Sequence, residues 1–165
     1  MKNLILLLTA CFCIACTNTE ETVEQTVEAT PSNIDLVKAM YDAFAEGNVE
    51  GVVANFADSI VWNEAENFIY ADKNPYIGAD SIVAGVFARI GAEWEYWNLE
   101  NKQFVSAGDD GVLVTGRYKG KNKANGKELD AQFAHVWSMK DGKATSFQQY
   151  TDTKQSAEVY TAEAE

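Results

Sequence analysis

Residues 111–151 read GVLVTGRYKGKNKANGKELDAQFAHVWSMKDGKATSFQQYT, with polar and apolar side chains alternating over most of the stretch. Alternation with a period of two predicts β-strands that have one buried face. The turn sequences Asn125-Gly126 and Asp141-Gly142 divide the stretch into strands at about 111–123, 127–140 and 143–152. We therefore predict two consecutive β-hairpins, and a further strand before them at about 94–106.

The register expected for the first hairpin indicates where a ligand would bind. If Asn125-Gly126 forms a two-residue turn, Gly116 lies opposite His135 and Tyr118 lies opposite Phe133. His135 is the single histidine of the chain. Because a glycine has no side chain, this pairing would leave room for a ligand beside the imidazole.

The second hairpin leaves its register open. A three-residue loop over 140–142 would pair His135 with Phe147, and it would pair Phe133 with Gln149. A two-residue loop would place Gln148 beside His135 instead. The first arrangement buries Phe147 and is preferred for that reason.

Helical spacing of apolar residues before residue 94 predicts three helices. The first begins near Ser32 and stops at Gly47, a short second helix starts at about Val49, and the third covers about 80–90. A strand at 59–64 separates the second helix from the third. The order of elements is therefore helix, helix, strand, helix and four strands.

The predicted strand at 59–64 ends in a carboxylate. Ile60, Trp62 and Glu64 share one face because alternate residues of a strand point the same way. The segment that follows, up to Ile77, has no periodicity but contains Tyr70 and other large aromatic residues. Long connections of this kind are often functional, so we interpret it as a flap over a cavity.

The first fifteen residues are expected to be a signal peptide. The apolar run from Leu4 to Ile14 is shorter than the roughly 20 residues that span a bilayer, and it follows a basic Lys2. Residues 13–16, CIAC, resemble the end of a bacterial lipoprotein signal, which implies cleavage before Cys16 and lipidation of Cys16. Cys11 is the alternative, but it would leave an apolar run of only about six residues, below the usual 7–15.

The segments at both ends are acidic. Residues 16–31 are expected to be a disordered tether behind the lipidated cysteine, and residues 154–165 a flexible tail. This arrangement implies a cell-envelope protein that is anchored by its lipid at the periplasmic or outer membrane face. Residues 32–153 carry 18 acidic and 11 basic side chains, a net charge of −7, which argues against nucleic acid and against direct contact with anionic lipid.

Metal and cofactor chemistry is not expected. All three cysteines lie within 11–16, and the chain has one histidine. Residues 32–153 therefore lack the set of cysteine and histidine ligands that zinc sites use. We predict no cofactor.

The chain resembles a known fold. The element order is similar to the nuclear transport factor 2-like (cystatin-like) fold, an α+β cone in which a curved antiparallel sheet wraps around three N-terminal helices and leaves one central pocket. Residues 133–137, FAHVW, and 148–153, QQYTDT, resemble the SnoaL-like group, which includes relatives of ketosteroid isomerase. Residues 57–62, ADSIVW, and 76–82, YIGADSI, match earlier landmarks of that group, so the resemblance covers about 32–153.

The resemblance implies an acid–base site. Enzymes of this group have a carboxylate base at the end of the first strand, where this chain has Glu64. Ketosteroid isomerase adds a tyrosine and a neutral aspartic acid as hydrogen-bond donors. His135 has the position of that acid, and Met40 that of the tyrosine, with Tyr41 turned by about 100°. The resemblance thus implies a cofactor-independent isomerase, cyclase or lyase that uses Glu64 and His135 rather than a steroid isomerase.

A small, largely apolar molecule is the expected partner. The predicted pocket wall combines residues of the strands and the flap: Trp62, Tyr70, Tyr76, Gly116, Tyr118, Phe133, Trp137, Phe147 and Gln149. A non-catalytic binding protein stays open as an alternative. So does an interaction module that forms a homodimer through the outer face of the sheet, although Arg117, Lys119 and Gln132 make that face polar.

Overall fold

The computed structural model describes residues 31–161. The chain begins with two helices and one strand, continues through a short strand and a segmented helix, and ends with four strands and a helix. The elements are α1 (Asn33–Ala45), α2 (Val49–Val53), β1 (Phe56–Asn63), β2 (Tyr76–Ile77), α3 (Ala79–Ile82), a π-helical turn (Val83–Phe87), α4 (Ala88–Glu93), β3 (Trp94–Ser106), β4 (Gly111–Asn122), β5 (Glu128–Lys140), β6 (Lys143–Thr151) and α5 (Thr153–Thr161). This element order confirms the predicted α+β architecture.

Helix α1 begins where the sequence predicts. The Ser32 hydroxyl accepts a hydrogen bond from the backbone of Asp35, and the Asp35 carboxylate accepts one from the backbone of Ser32. This reciprocal pair satisfies two of the free N–H groups that every helix has at its start. The buried face of α1 contains Val37, Met40 and Tyr41, which are directed toward the interior of the sheet.

The predicted third helix is one helical segment with a wider turn inside it. It runs from Ala79 to Glu93 without stopping at Gly91, and residues 83–87 form the π-helical turn. Such turns are often found near functional sites because the extra residue reorients the side chains around it. Here the turn buries Val86 and Phe87.

The six strands form one curved sheet in the order β2-β1-β6-β5-β4-β3. All neighbouring strands are antiparallel except β1 and β6, which run parallel, so the expectation of a fully antiparallel sheet was wrong for this pair. β2 already runs antiparallel to β1, and β3 runs in the same direction as β2. The three antiparallel steps from β3 to β6 then bring β6 alongside β1 in the same direction. Trp62 of β1 lies opposite Phe147 of β6, and their rings stack with centroids 3.6 Å apart.

The predicted register of the first hairpin was wrong by two residues. Gly116 lies opposite Phe133, and His135 lies opposite Val114. The Asn125-Gly126 turn is part of a wider loop, closed by hydrogen bonds between Asn122 and both Gly126 and Lys127. A slip of two residues keeps every side chain on its predicted face, but it changes its neighbours.

The register of the second hairpin differs from both alternatives. His135 pairs with Gln149 and Trp137 pairs with Phe147. The turn itself has two residues, Asp141 and Gly142, both with positive φ. A bulge next to Ser138 then shifts the register by one residue, and this bulge is what places Gln149 beside the imidazole.

The end of the domain lies beyond the predicted boundary at residue 153. Residues that were expected to form a flexible tail form helix α5, which buries Ser156 and Val159. The Asp152 carboxylate accepts a hydrogen bond from the backbone of Gln155 and thereby caps the helix. The side chain of Asn125 donates to the backbone oxygen of Val159, which ties the helix to the first hairpin.

The predicted signal peptide, Cys16 and the acidic tether up to residue 30 lie outside the described residues. Within residues 31–161, no helix is both long enough and apolar enough to cross a membrane.

Candidate ligand-binding cavity

A cavity lies between the inner face of the sheet and the helices. Its volume is about 60 Å³, which is space for a few water molecules or a small ring. Most of its wall is aromatic or aliphatic, and its lining residues are Met40, Tyr41, Phe44, Val52, Trp62, Glu64, Phe68, Val86, Phe87, Ile90, Trp97, Leu99, Tyr118, His135, Trp137, Phe147 and Gln149. A ligand much larger than one ring would require some of these side chains to move.

The structure brings seven of the predicted site residues together around this cavity: Trp62, Glu64, Tyr118, His135, Trp137, Phe147 and Gln149. Four others lie outside the lining. Phe133 lies behind the imidazole and stacks on it with centroids 4.2 Å apart, and Gly116 packs against the Phe133 ring, where a Cβ would lie 2.6 Å from Cζ. Tyr70 and Tyr76 belong to a separate buried cluster beside α4. Gly116 therefore makes room for Phe133 and not for a ligand, contrary to the prediction.

The segment between β1 and β2 covers the cavity in part, as predicted. Phe68 from this segment lines the cavity, and its ring meets the edge of Trp97. Tyr76 is held away from the cavity by hydrogen bonds from its hydroxyl to the backbone of Tyr70 and to Asp72.

Helix α1 supplies a polar residue that the sequence prediction did not include in the site. The resemblance gave Met40 the tyrosine position and turned Tyr41 away, but both side chains line the cavity. The Tyr41 hydroxyl lies 2.6 Å from Nδ1 of His135. The apolar spacing of Val37, Tyr41 and Phe44 already indicated that Tyr41 is buried, and burial of a hydroxyl requires a polar partner. The need for such a partner was the signal in the sequence that could have placed Tyr41 in the site.

His135 lies between two tyrosines. Its Nδ1 is 2.6 Å from the Tyr41 hydroxyl, and its Nε2 is 2.5 Å from the Tyr118 hydroxyl. The indole N–H of Trp137 donates to the Tyr41 oxygen, and the amide N–H of Gln149 donates to the Tyr118 oxygen. We call this set the tyrosine–histidine chain (Trp137, Tyr41, His135, Tyr118 and Gln149).

The imidazole of the tyrosine–histidine chain is neutral near pH 7. Burial lowers the pKa of His135 to about 3, because the charged form would lose its hydration. Burial also raises the pKa values of Tyr41 and Tyr118 above their ordinary range, so both hydroxyls keep their protons. A neutral imidazole in contact with both hydroxyls holds the two tyrosines in place.

Glu64 follows β1 and is 2% exposed. Its Oε1 accepts a hydrogen bond of 2.6 Å from the indole N–H of Trp62. Its backbone is fixed by two hydrogen bonds with the side chain of Asn74. Among the described residues, Oε2 of Glu64 has no hydrogen-bond partner.

Burial makes the Glu64 carboxyl a candidate general base. It raises the pKa of Glu64 to about 7, although the hydrogen bond from Trp62 acts in the opposite direction. A base with a pKa near the working pH is present in its active form and still binds the proton it removes. Glu64 and Gln149 also line an outer cleft together with Asn74 and Tyr150, so Glu64 borders both the cavity and this cleft.

Within the part of the chain that the structure describes, no three histidine, cysteine, aspartate or glutamate side chains converge as a metal site would require.

A family model for the SnoaL-like domain matches residues 37–147, which include every cavity-lining residue except Gln149. The chain belongs to the SnoaL-like family. No curated protein matches the sequence of this SnoaL-like protein significantly.

Solved structures share its fold. An NTF2-like protein from Burkholderia thailandensis is 32% identical with a TM-score of 0.76, and the match covers 81% of this chain and 100% of that one. TerC, co-crystallised with polyporic acid, is 25% identical with a TM-score of 0.70, covering 79% and 98% of the two chains. A polyketide cyclase-like protein from Pseudomonas putida is 14% identical with a TM-score of 0.70, covering 80% and 100%, and it shows the fold alone.

Proposed function

We propose that this SnoaL-like protein binds a small, largely apolar molecule that carries a carbonyl group, and that Glu64 removes a proton from the carbon next to that group. The proton passes from carbon to Oε2 of Glu64, and the electron pair of the broken C–H bond moves to the carbonyl oxygen as an enolate forms. Return of the proton to another carbon of the enolate would complete an isomerase reaction. In a cyclase reaction the enolate carbon would attack a second carbonyl carbon of the same ligand, whose oxygen takes the proton. In a lyase reaction the electron pair would expel a leaving group from the β-carbon, and that group takes the proton. The step uses only side chains of this chain and its ligand.

One observation carries this proposal: Glu64 lines an aromatic cavity and has one buried carboxyl oxygen without a partner. A buried carboxyl group that regains only part of its lost hydrogen bonds destabilises the folded protein when it is ionised, which is typical of groups kept for function. The pKa of about 7 supports the role of base. TerC, a similar structure, was co-crystallised with polyporic acid, which supports an organic ligand for this fold.

Deuterium exchange tests the proposal without knowledge of the natural substrate. Cyclohexanone, a single ring with acidic C–H groups beside its carbonyl, is incubated with the protein in D₂O, and its loss of protons is followed by NMR. We expect catalysed exchange that falls by about a hundredfold or more in Glu64→Gln. The catalysed rate should rise with pH through about 7 and then level off, because only the ionised carboxylate is a base.

Glu66→Gln is the matched control, since Glu66 is an exposed glutamate in the same segment. Its exchange rate should equal that of the unmodified protein. Equal rates in Glu64→Gln and the unmodified protein would contradict the proposal.

A second candidate function is non-catalytic binding in the same cavity, which the predominance of aromatic residues in its wall favours. Binding of cyclohexanone without any catalysed exchange would support it. A lipid anchor at Cys16, a location in the cell envelope and a homodimer stay predictions. On the outer face of the sheet, Asp130 pairs with both Arg117 and Lys119, while Val136 and Tyr150 are exposed, so a contact between two copies there would be partly polar.

A further inference from the structure

The tyrosine–histidine chain contains more donor hydrogens than its internal contacts use. Its donors are the indole N–H of Trp137, the two N–H groups of the Gln149 amide, one N–H of a neutral imidazole and two tyrosine hydroxyls. Four of these six donors serve the internal contacts, namely Trp137 to Tyr41, Gln149 to Tyr118, and one on each nitrogen of His135. Because a neutral imidazole donates from one nitrogen and accepts at the other, only one of the two hydroxyls donates to it. Among the described residues, one hydroxyl proton is therefore left without an acceptor.

The direction of the Gln149 amide is fixed by its other end. The oxygen Oε1 of Gln149 accepts a hydrogen bond from the backbone N–H of Ala65, so the nitrogen of the amide must face Tyr118. Both tyrosine oxygens thus receive one N–H from outside the imidazole. Which nitrogen of the imidazole carries the proton then decides which tyrosine hydroxyl has a spare proton.

Two proton arrangements satisfy all four contacts. If Nδ1 of His135 carries the proton, it donates to Tyr41, Tyr118 donates to Nε2, and the Tyr41 hydroxyl proton is spare. If Nε2 carries the proton, it donates to Tyr118, Tyr41 donates to Nδ1, and the Tyr118 hydroxyl proton is spare. The protonated nitrogen therefore identifies the tyrosine that can donate to a ligand.

Tyr118 is the tyrosine on the side of the proposed base. Gln149 connects its hydroxyl to the backbone of Ala65, the residue after Glu64. The charge of Glu64 is also among the causes that raise the pKa of Tyr118, whereas burial and the Trp137 contact account for Tyr41. The Tyr41 ring is enclosed by Phe104 and Trp137, each in edge contact with it.

We propose that the Tyr118 hydroxyl donates its spare proton in a hydrogen bond to an oxygen of the ligand, and that His135, protonated on Nε2, is the positioning residue that makes this proton available. The ligand class is then a ring ketone or enol whose oxygen contacts Tyr118 while its C–H or O–H group contacts Glu64. A ligand that offers only donors would leave the Tyr118 proton unsatisfied. This inference rests on the proposed function for the location of the ligand.

Binding of two rings of similar size tests the role of Tyr118. Cyclohexanone has an acceptor oxygen and methylcyclohexane has none, and the Kd of each is measured by ligand-observed NMR for the unmodified protein, Tyr118→Phe and Tyr70→Phe. We expect Tyr118→Phe to raise the Kd of cyclohexanone about tenfold and to change that of methylcyclohexane less than threefold. Phenylalanine keeps the ring that packs on Phe133 and Trp97.

Tyr70→Phe is the matched control, because it removes the hydroxyl of a buried tyrosine that lies outside the cavity. It should leave the Kd of cyclohexanone within threefold. An unchanged Kd of cyclohexanone in Tyr118→Phe, or equal effects of Tyr118→Phe on the two rings, would overturn the inference.

The protonated nitrogen can be observed directly. His135 is the single histidine, so ¹⁵N-histidine labelling gives one imidazole signal pair. With cyclohexanone bound near pH 7, we expect Nε2 to be protonated and Nδ1 to be unprotonated. A protonated Nδ1 would overturn the inference. If Nδ1 is protonated but deuterium exchange still depends on Glu64, the proposed function stands and only the role of Tyr118 is lost. If neither ring binds, both the proposed function and the role of Tyr118 are overturned.

Discussion

Two buried tyrosine clusters in this protein differ in how completely their hydrogen bonds are satisfied. In the cluster beside α4, the Tyr70 hydroxyl donates to Glu93 and accepts from the indole of Trp94. Arg89 lies over the Tyr70 ring and pairs with Asp72 at 2.8 Å. This Tyr70 cluster combines its tyrosine with opposite charges that compensate each other.

The tyrosine–histidine chain contains no charged side chain and has a spare hydroxyl proton. Both clusters are buried, and both contain tyrosines that the sequence analysis assigned to one pocket wall. The Tyr70 and Tyr76 hydroxyls both have acceptors, and their contacts join the segment after β1 to α4 and α5. The tyrosine–histidine chain leaves one hydroxyl proton without an acceptor in the chain, and both of its tyrosines line the cavity. The two clusters therefore differ in their balance of donors and acceptors more than in burial or residue type.

The largest expected effect is on the pH dependence of stability, and it comes from Glu64, which lines the same cavity as the tyrosine–histidine chain. The pKa of Glu64 is raised from 4.5 to about 7, so the folded state binds this proton more tightly than the unfolded state. The resulting stability is present below pH 4.5 and is lost as pH rises through about 7. The loss is about 3 kcal/mol, because each pH unit in this window contributes about 1.4 kcal/mol.

His135 acts in the opposite direction. Its pKa is lowered from 6.5 to about 3, so the stability that it contributes is lost as pH falls from 6.5 toward 3. The two dependences offset each other between about pH 4.5 and 6.5 in the unmodified protein. Urea denaturation of Glu64→Gln should therefore show a free energy of unfolding that rises with pH over that window. Relative to the unmodified protein, the variant should be about 3 kcal/mol more stable above pH 7 than it is at pH 4. A pH-independent difference would contradict the burial of an ionisable Glu64.

The second-largest effect is expected from Gly85→Ala, which disturbs Tyr76 in the Tyr70 cluster. In Gly85→Ala, the new Cβ would lie 2.1 Å from a carbon of the Tyr76 ring, so the ring must shift and its hydroxyl bonds weaken. We expect a loss of about 2 kcal/mol in the free energy of unfolding. Gly91→Ala is the control, since a Cβ there meets nothing within 4 Å, and it should be neutral or slightly stabilising in its helix. Equal stability of the two variants would mean that the contact with Tyr76 is not tight.

The smallest effect sharpens the comparison between the two clusters. Tyr70→Phe leaves the indole N–H of Trp94 without its acceptor, and it should lower the free energy of unfolding by about 1–2 kcal/mol. It should leave the Kd of cyclohexanone unchanged, whereas Tyr118→Phe should raise it. A weaker affinity in Tyr70→Phe would show that the two clusters are coupled.

The sequence predicted the elements well because their signals are local. The strands β3 to β6 lie within about two residues of their predicted bounds, and α1 begins at the predicted cap. Alternation and capping depend on neighbours along the chain, so they can be recognised without knowledge of the fold.

The residues of the site were harder to predict because they depend on register and on partners far apart in sequence. A wider loop at Asn125-Gly126 moved Phe133 beside Gly116, and a bulge moved Gln149 beside His135. Neither shift changes the face on which a side chain lies, so the pattern of alternation could not reveal it. The separation of Tyr70 from Tyr118 depends on Glu93 and Trp94, which no spacing rule connects to them.

The parallel contact between β1 and β6 has a consequence for biosynthesis. The first long strand to leave the ribosome has the last strand as its neighbour in the sheet. Trp62 therefore cannot stack on Phe147 until almost the whole domain has been translated. A nascent chain that stalls before residue 143 would contain Phe56, Phe87 and Trp137, which also contact Trp62, but it would lack the ring that stacks on it. Completion of this part of the core therefore waits for the end of the domain, which a fold built from sequential hairpins alone does not require.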